Sequence, residues 1–448
     1  MFGPEFRAFV RELERLGGCA APVLLMGHTI DRDRVTGEVV HAFHSADLPY
    51  GVLVVPCRNR RESVCLPCAL LHNGDSFAIV RAGLAGGKGV PELVSTHPRV
   101  FATVTAPSFG AVHKAKGDGP CRARRERPVC PHGRALYCYR THALLDSVVG
   151  SALCPECYDY DGSVIWNASA GKLWHIYVGR IGRELAKAAG IRRESAALRE
   201  QLRVSYVKVS EYQRRGLVHF HAVIRLDGPG GAGDDPPAWA GGAMLAAAVK
   251  SAAPHVSTYM PDGRGGRRRL VLGDDPDAQE ITPDGRNGGL SDQAVASYIA
   301  KYVTKGEVPG LILPRALGSR GSIEHAPLTE HARALMRAAW DLGGLPEIEA
   351  LNTRRWAHQI GFRGNIVTKS ARYSTTYGAL REARAQYWRE RQGVERPDPE
   401  TTVRESHWRL VGVGLSPDLA EIAAGIAEDT RVRKGPPDWR YARPGDAA

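Results

Sequence analysis

The stretch VSYVKVSEYQRRGLVHFHAVIRLD, residues 204–227, decides the fold class of this chain. Its beginning, VSYVKVSEYQ, and its end, HFHAVIRLD, both alternate apolar and polar side chains and are rich in valine and isoleucine, which is typical of β-strands. The short segment RRGLV between them contains a glycine and is of a length that suits a turn. The stretch therefore predicts a β-hairpin.

Two histidines on the second strand of this hairpin form an H-x-H pattern. Residues two apart on a strand point to the same face, so His219 and His221 can hold one metal ion together, while Phe220 points to the opposite face. Glu211 lies on the preceding strand, and the hairpin can bring it opposite the pair. Two imidazoles and a carboxylate suit Mg²⁺ or Mn²⁺ with positions open for phosphate oxygens. An H-x-H pattern also occurs as two ordinary histidines on a half-buried strand, so it needs a second observation beside it.

That second observation is the segment SDQAVASYIAKYVTKG, residues 291–306. Ser291 is a good N-terminal cap and Gly306 a good stop, so the segment predicts a well-bounded helix.

The helix carries two tyrosines and a lysine. Tyr298 and Tyr302 are four residues apart and therefore neighbours on one face, with Lys301 beside them. A tyrosine hydroxyl is a poor nucleophile at neutral pH and needs a polarised phosphate and nearby positive charge. A divalent metal and a lysine supply these. Paired tyrosines are common on amphipathic helices, so it is their combination with the histidine pair, in this order, that indicates phosphodiester chemistry.

The cysteines fall into two groups with the spacing of zinc ligands. The sequences CLPC and CPEC are tight knuckles in which both thiolates can face one tetrahedral zinc. The second group has four thiolates, which predicts a structural zinc site, with His132 as a possible substitute for one of them: Cys130, Cys138, Cys154 and Cys157. Cys121 is left over.

The first cysteine group lacks an obvious fourth ligand. It contains Cys57, Cys65 and Cys68, and three residues compete for the remaining position: Cys19, His72 and His41. The alternative for both groups is a set of buried, reduced cysteines that pack as small apolar side chains.

Composition narrows the class of protein. A chain of 448 residues is long enough for two or three globular units. Its 60 Lys and Arg against 48 Asp and Glu leave a net charge of +12, which favours nucleic acid as the partner, with an anionic membrane surface second. The sequence has no membrane-spanning run and no secretion signal, so we expect the cytoplasm, where thiols stay reduced. The segment GGKGV lacks a Ser or Thr after Lys88, so no ATP use is expected.

With these motifs in hand, the chain resembles the replication initiators of rolling-circle plasmids of actinomycetes, within the HUH endonuclease superfamily. The strand FATVT, then HFHAV, then YIAKYVTK match in that order. The segments TAPSFGAVH, CYDYDGSVIWNA and GFRGNIVTKSARYSTTYG and the cysteine groups resemble the actinomycete group in particular. The Tyr-x-x-Lys-Tyr spacing also resembles the gene A initiators of small single-stranded DNA phages. The likeness covers residues from about 17 to 390.

The resemblance implies a role for each motif residue. His219 and His221 match the metal ligands, Glu211 matches a third ligand, and Tyr298 and Tyr302 match paired nucleophiles. It also implies an α+β fold, with an HUH nuclease core whose central antiparallel sheet is flanked by helices, plus zinc-binding modules.

The resemblance further implies a reaction and its partners. A tyrosine cuts one strand of a double-strand origin, forms a 5′-phosphotyrosine link and frees a 3′-OH for a polymerase. The second tyrosine or a water ends the cycle, and the strand is rejoined without a nucleotide cofactor. Double-stranded origin DNA, single-stranded DNA, a host helicase and a polymerase are the expected partners.

The expected organisation follows the chain. An N-terminal zinc-binding region (1–98) precedes a nicking and joining domain (99–310), into which a zinc module at about 113–160 is inserted. A helical, basic DNA-binding region (311–400) and a partly disordered tail (401–448) follow. Within the nicking domain, DAQEITPDGRNGG at 277–289 is expected to be mostly loop.

The basic region supplies candidate DNA contacts. Residues 354–391 contain nine Lys or Arg against two acids, interleaved with five rings that can stack on unpaired bases: Trp356, Phe362, Tyr373, Tyr377 and Tyr387. The candidate contacts to DNA are Arg354, Arg355, Arg363, Lys369 and Arg372. A solvated, arginine-rich face would show the same composition.

Two rival functions use the same features. A non-catalytic zinc-containing DNA-binding regulator accounts for the charge and the cysteines but leaves the histidine and tyrosine pairs as coincidences. A relaxase or transposase of the same superfamily keeps the chemistry. Relaxases usually place the tyrosine before the histidine motif, and here it follows, which favours an initiator.

Overall fold

The computed structural model describes five stretches of the chain: residues 3–191, 195–282, 290–304, 308–393 and 397–434. The chain forms two compact units, each built from separate parts of the sequence. The first unit comprises residues 1–82, 296–305 and 375–448, and the second comprises residues 83–295 and 306–374. The sequence alone predicts consecutive regions instead, because the pairing of β1 with β12 leaves no local signal along the chain.

The elements show the α+β class that was predicted. The helices are α1 (Pro4–Arg15), α2 (Leu66–Ala85), α3 (Tyr160–Ala188), α4 (Ser195–Arg199), α5 (Gly242–Ala252), α6 (Asp292–Thr304), α7 (Gly321–Glu324), α8 (Glu330–Leu342), α9 (Tyr377–Gln392) and α10 (Pro417–Lys434). The strands are β1 (Val23–Asp33), β2 (Val39–His44), β3 (Leu53–Val55), β4 (Arg99–Val104), β5 (Arg203–Tyr212), β6 (Val218–Asp227), β7 (Ser257–Pro261), β8 (Arg267–Val271), β9 (Asp277–Thr282), β10 (Leu290–Ser291), β11 (Val367–Lys369) and β12 (Thr402–Val413). Among the described helices, none has the length and apolarity to cross a bilayer.

The second unit is organised around a six-stranded sheet of order β10-β9-β4-β6-β5-β11. The predicted hairpin is confirmed as β5 and β6, which pair antiparallel along their full length. Gly216 closes its turn at φ +80°, a conformation that favours glycine, and a Cβ there would lie 2.3 Å from Leu335. The hairpin occupies the middle of the sheet, between β4 and β11.

One face of this sheet is covered by the long helix α3. Asp159 caps the helix by accepting a hydrogen bond from the Gly162 N–H at 2.9 Å. The Trp174 ring then packs edge-on against Phe220 and Tyr206, with ring centres 5.3 Å apart in both cases. Because side chains alternate across a strand, the histidines that flank Phe220 point away from α3.

Strand β9 corrects one expectation. Residues 277–282 were predicted to be loop, but they pair antiparallel with β4. Ala278 and Ile281 of this strand are buried. The nearby glycines and Pro283 resemble a loop in composition, and only the tertiary pairing with β4 makes this segment a strand.

The first unit has its own sheet and core. Strand β1 lies in the centre, between β12 and β2, and also pairs with β3. Helices α1 and α10 contact each other. The buried core of this unit includes Phe9, Leu13, Val54 and Ala423.

The last part of the chain corrects a second expectation. Residues 401–434 were predicted to belong to a partly disordered tail, yet β12 pairs with β1 over its whole length and α10 follows. Most side chains of β12 are exposed, so the strand lacks the clear apolar alternation that would have revealed it. Residues 435–448 of the predicted tail lie outside the described residues.

Candidate metal centre, tyrosine helix and cysteine groups

Glu211, His219 and His221 converge on the sheet face that points away from α3. Glu211 lies directly opposite His219 in the hairpin register. Its Oε2 is 2.8 Å from Nε2 of His219 and 3.1 Å from Nε2 of His221. The potential ligand atoms of the three residues lie within 4.8 Å of one another, close enough to bind one ion. The structure thus brings together the three residues singled out in the sequence.

A neighbouring strand orients one of these histidines. Thr103 on β4 lies opposite His221, and its Oγ1 is 3.1 Å from Nδ1 of the imidazole. The Phe101 ring stacks on the same imidazole at a centre distance of 5.9 Å. Contacts of this kind fix the ring orientation of metal-ligating histidines, and here they leave Nε2 directed at Glu211. Sequence reasoning missed Thr103, although it lies in the strand motif FATVT.

The protonation states at this site suit metal binding. Burial lowers the pKa of His221, so the ring is neutral at pH 7. For Glu211, burial raises the pKa, but hydrogen bonds with His219 and His221 outweigh this and lower it overall. The site therefore presents a carboxylate and a neutral imidazole, which are the forms that bind metal.

The predicted tyrosine helix is α6. Ser291 Oγ accepts a hydrogen bond from the Ala294 N–H at 3.2 Å, which confirms the predicted N-terminal cap. The predicted stop at Gly306 lies outside the described residues.

The tyrosines and the lysine occupy the second half of this helix. Tyr298 is half-buried and Lys301 is exposed, and the backbone at Tyr302 is helical one turn after Tyr298. This half of α6 belongs to the first unit, whereas the Glu–His–His group belongs to the second.

The first cysteine group is closed by Cys19. The Sγ atom of Cys19 lies 3.8 Å from that of Cys65 and 3.6 Å from that of Cys68. With Cys57, the four sulfurs lie within 4.8 Å of one another. Of the three candidates for the fourth position, the structure thus selects Cys19 over His72 and His41. All four side chains lie in the first unit and three of them are buried.

The second cysteine group is divided differently from the prediction. Cys130, Cys154 and Cys157 lie together with His132, whose Nδ1 is 3.2 Å from Sγ of Cys157. The predicted fourth member, Cys138, lies elsewhere, so the grouping of four thiolates was wrong, and His132, named as a possible substitute, takes the place of Cys138. The physical reason is a backbone pairing of Cys138 with Arg122, which carries its side chain into another cluster.

That other cluster was missed by sequence reasoning. It contains Cys138 and the supposedly left-over Cys121, together with His113 and His142. Sγ of Cys121 is 3.6 Å from Nδ1 of His113, and Sγ of Cys138 is 3.6 Å from Nε2 of His142. The spacing Cys-x3-His at 138–142 is one that metal sites use, and it was the available signal.

The candidate DNA contacts differ in exposure. Four arginines have exposed side chains: Arg354, Arg355, Arg363 and Arg372. Lys369 is half-buried on β11, and burial lowers its pKa.

Two of the rings predicted to stack on bases are buried and cannot reach DNA. Phe362 is 2% exposed and Tyr373 is 0% exposed, because both pack inside the second unit. The prediction was wrong for these two, since the spacing of rings along a sequence does not show which face is buried. Tyr387 is 52% exposed.

An α+β chain with a Glu–His–His group on its central sheet and three further cysteine and histidine clusters has the make-up of a metal-binding protein. Comparison of its sequence with known proteins identifies the family. The family model described as "Replication initiator protein, pSAM2" matches residues 5–428. A replication initiator protein of Streptomyces ambofaciens is 39% identical over 440 residues, which cover 96% of this chain and 92% of that protein. The chain therefore belongs to the pSAM2 family of replication initiators, which confirms the resemblance to actinomycete initiators. No solved structure matches it.

Proposed function

We propose that this replication initiator starts DNA synthesis by cutting one strand of a double-strand origin, through a tyrosine and with a divalent metal. The observation that carries the proposal is the convergence of Glu211, His219 and His221 around one carboxylate oxygen, in a chain that belongs to an initiator family. Cutting an origin strand would supply the 3′-OH from which a polymerase extends. The sheet that carries the histidine pair on a central strand is, in this proposal, an HUH nuclease core.

The metal centre would hold Mg²⁺ or Mn²⁺. The ion would polarise a phosphodiester oxygen and so make the phosphorus open to attack. Glu211 and the two imidazoles would hold it through one oxygen and two nitrogens, while Thr103 keeps the His221 ring in place. The side chain of Glu211 is 26% exposed, so the group is accessible from solvent.

The tyrosines of α6 supply the nucleophile. The Tyr302 oxygen attacks the phosphorus and loses its proton, while the bond from phosphorus to the 3′ oxygen breaks and that oxygen takes up a proton. Lys301 neutralises charge that develops on the phosphate. Because one phosphoester bond replaces another, the strand can be rejoined later without a nucleotide cofactor. Tyr298 serves in the second cut that ends the cycle.

Origin binding uses exposed basic residues and exposed aromatic rings. The exposed arginines 354, 355, 363 and 372 bind backbone phosphates, and exposed rings such as Tyr387 stack on unpaired bases. Lys369, being half-buried, contributes less. A host helicase and a polymerase then extend the freed end.

The Cys19 group holds a structural zinc. Four thiolates with a closed ligand count and little exposure are characteristic of structural rather than catalytic sites. This ion would tie Cys19, which follows α1, to the start of α2.

A nicking assay tests the proposal. Supercoiled plasmid carrying the protein's own origin is incubated with protein and Mg²⁺ or Mn²⁺, and the products are examined for a nick and a protein-linked 5′ end. The double variant His219→Ala/His221→Ala should lose nicking while origin binding stays within about twofold, because base and phosphate contacts are untouched. The matched control is His175→Ala, an exposed histidine on α3 that belongs to none of the metal groups.

The assay also separates the rival functions. Normal nicking by the double histidine variant would rule out the metal site. Specific origin binding without any nick, with metal present, would favour a non-catalytic regulator. Nicking restricted to a transfer origin or a transposon end would favour a relaxase or transposase.

A further inference from the structure

The segment between β4 and α3 is folded in an unusual way. We call this segment, residues 105–159, the insert. The structure describes all of its residues. It contains one short 3-10 helix, Pro155–Cys157, and isolated bridges, but otherwise neither helix nor strand. Irregular segments of this length are rare inside compact units and need some other source of order.

Apolar burial does not provide that order. Between residues 114 and 153, the buried side chains are Cys121, Cys130 and His142. None of the large apolar side chains of the same stretch is fully buried, and Leu144 and Leu145 are 70% and 79% exposed. Such a segment buries too little apolar surface to offset its loss of conformational entropy. Every buried side chain in it is instead a potential metal ligand.

These potential ligands form two sets whose order along the chain is interleaved. Site one is defined as His113, Cys121, Cys138 and His142. Site two is defined as Cys130, His132, Cys154 and Cys157. Along the chain, the pair His113 and Cys121 of site one comes first, and the pair Cys130 and His132 of site two follows. The order then repeats, with Cys138 and His142 of site one before Cys154 and Cys157 of site two. Each site therefore closes a loop that contains half of the other.

Backbone contacts hold each half in position. Arg122 and Cys138 exchange two hydrogen bonds of 2.8 and 2.9 Å, which bring the two halves of site one together. At site two, the Cys130 carbonyl accepts from the Gly133 N–H at 2.9 Å, and the Cys154 carbonyl accepts from the Cys157 N–H at 3.2 Å. These tight turns place two potential ligands of a pair side by side.

A carboxylate behind one histidine points independently to a metal. Oδ2 of Asp146 lies 2.9 Å from Nδ1 of His142, while Nε2 of the same ring faces Sγ of Cys138 at 3.6 Å. A carboxylate on the far nitrogen of a metal-ligating histidine fixes its tautomer and orientation. Because Asp146 contacts Nδ1 of His142, Nε2 of the ring is directed at the centre of site one.

We infer that the insert binds two zinc ions, one in each of its interleaved sites, and that these ions stabilise its fold. This interleaved arrangement of two sites is called a cross-brace. The donor sets are two thiolates with two imidazoles and three thiolates with one imidazole, both of which are zinc sets with a closed tetrahedral count. With the Cys19 group, the full chain then binds three zinc ions, and all 9 cysteines are ligands. The inference does not depend on the proposed nicking activity.

The zinc content of the full-length protein, measured by native mass spectrometry, tests the interleaving. The expected value for the unaltered chain is three zinc ions. Cys19→Ser, the matched control in the first unit, should lose one ion, because no other site shares its loops. Cys121→Ser should lose two, since opening site one frees the chain that holds site two. Nicking is not needed for any of these readings.

Two results would overturn the inference. A Cys19→Ser protein with only one zinc ion would show that one site of the insert is empty, and a Cys121→Ser protein that keeps two ions would show that the two sites bind zinc independently. If Cys121→Ser is insoluble, Cys121→His should keep three ions, because imidazole can replace thiolate. Stepwise chelation of the unaltered protein tests the same point without a substitution. The two ions of the insert should leave together, and a populated species in which the insert holds one ion would contradict the cross-brace.

Discussion

Lys208 lies in the hairpin on the face opposite the histidine pair and is enclosed by aromatic rings. Its Nζ is 4.2 Å from the centre of Phe220 and 5.6 Å from that of Trp174. Burial lowers the pKa of this lysine from an ordinary 10.5 to about 8. Because its folded pKa is depressed, the unfolded chain binds more protons between these two values, and this residue's contribution to stability rises with pH across that window.

Lys208→Met should therefore stabilise the protein at neutral pH. The methionine keeps the apolar contacts and removes a charge whose burial costs on the order of 1–3 kcal/mol after the cation–π attraction is subtracted. The gain in unfolding free energy, measured in urea, should shrink by more than half between pH 7 and pH 9.5. Lys250→Met, at an exposed site, is the control and should show no such trend. A gain that is the same at both pH values would contradict the pKa assignment.

The two tyrosines should divide the reaction between them. In the proposed mechanism, two tyrosines one helical turn apart act on one phosphate in alternation rather than together. Tyr302→Phe should abolish covalent attachment to a labelled origin oligonucleotide, while Tyr298→Phe should still attach and nick once but rejoin poorly. If the double variant still forms the adduct, the nucleophile is another residue. If Tyr298→Phe is the variant that loses the first cut, the roles are reversed.

At this scale, the sequence predicted those contacts that follow from local periodicity. Glu211 meets His219 because both strands alternate and a short turn sets their register, and both facts are visible in the sequence. The partner of Cys138 was not predictable in the same way. Its cluster depends on a backbone pairing with Arg122, and neither residue carries a local signal for that pairing.

At the scale of elements, β6 ends on a buried ion pair. Arg225 and Asp227 share one face of this strand, and the arginine donates to both carboxylate oxygens at 2.6 and 2.9 Å. Ser205 and His97 complete the partners of Asp227 at 2.5 and 2.8 Å. The arginine also donates to the backbone carbonyls of Gly83 and Tyr373. The network joins β6 to β5, to the segment before β4 and to the segment after β11.

Asp227→Ala should destabilise the second unit severely. It leaves the guanidinium of Arg225, which is 0% exposed, without its carboxylate, and breaking a buried pair in this way costs about 3–5 kcal/mol. Urea unfolding monitored by tryptophan fluorescence measures the loss. Asp275→Ala, at an exposed site, should change the free energy by less than about 0.5 kcal/mol. Equal effects of the two substitutions would show that the network adds nothing.

The elements that were predicted correctly carry their own pattern, and those that were missed depend on partners. Strands β5 and β6 alternate clearly because one of their faces lies against α3 and the other carries the Glu–His–His group. Strand β12 has mostly exposed side chains and exists because β1 offers it a full ladder of hydrogen bonds. A strand of that kind has no signature until its partner is known.

At the scale of the whole molecule, the two units show why the domain expectation differs from the structure. The first unit collects the beginning of the chain, the second half of α6 and everything from residue 375 onward. The pieces are joined by long-range pairing, such as that of β1 with β12, which composition along the chain does not report. The net charge of +12, by contrast, is a property of the whole molecule and could be read directly.

That charge leads to a last prediction, on the salt dependence of origin binding. Each phosphate contact that a protein makes to duplex DNA steepens the plot of log affinity against log salt by about 0.9. If Arg355 and Arg363 each hold one phosphate, the variant Arg355→Gln/Arg363→Gln should flatten the slope by about 1.8. The measurement is fluorescence anisotropy with an origin duplex at several salt concentrations. Lys250→Gln, which removes an exposed cation outside the 354–391 segment, should leave the slope unchanged. His219→Ala should also leave it unchanged, because this proposed metal ligand holds no backbone phosphate in the absence of added metal. If the double arginine variant keeps the original slope, these two arginines release no counterions from the DNA. The phosphate contacts would then lie on another surface of the protein.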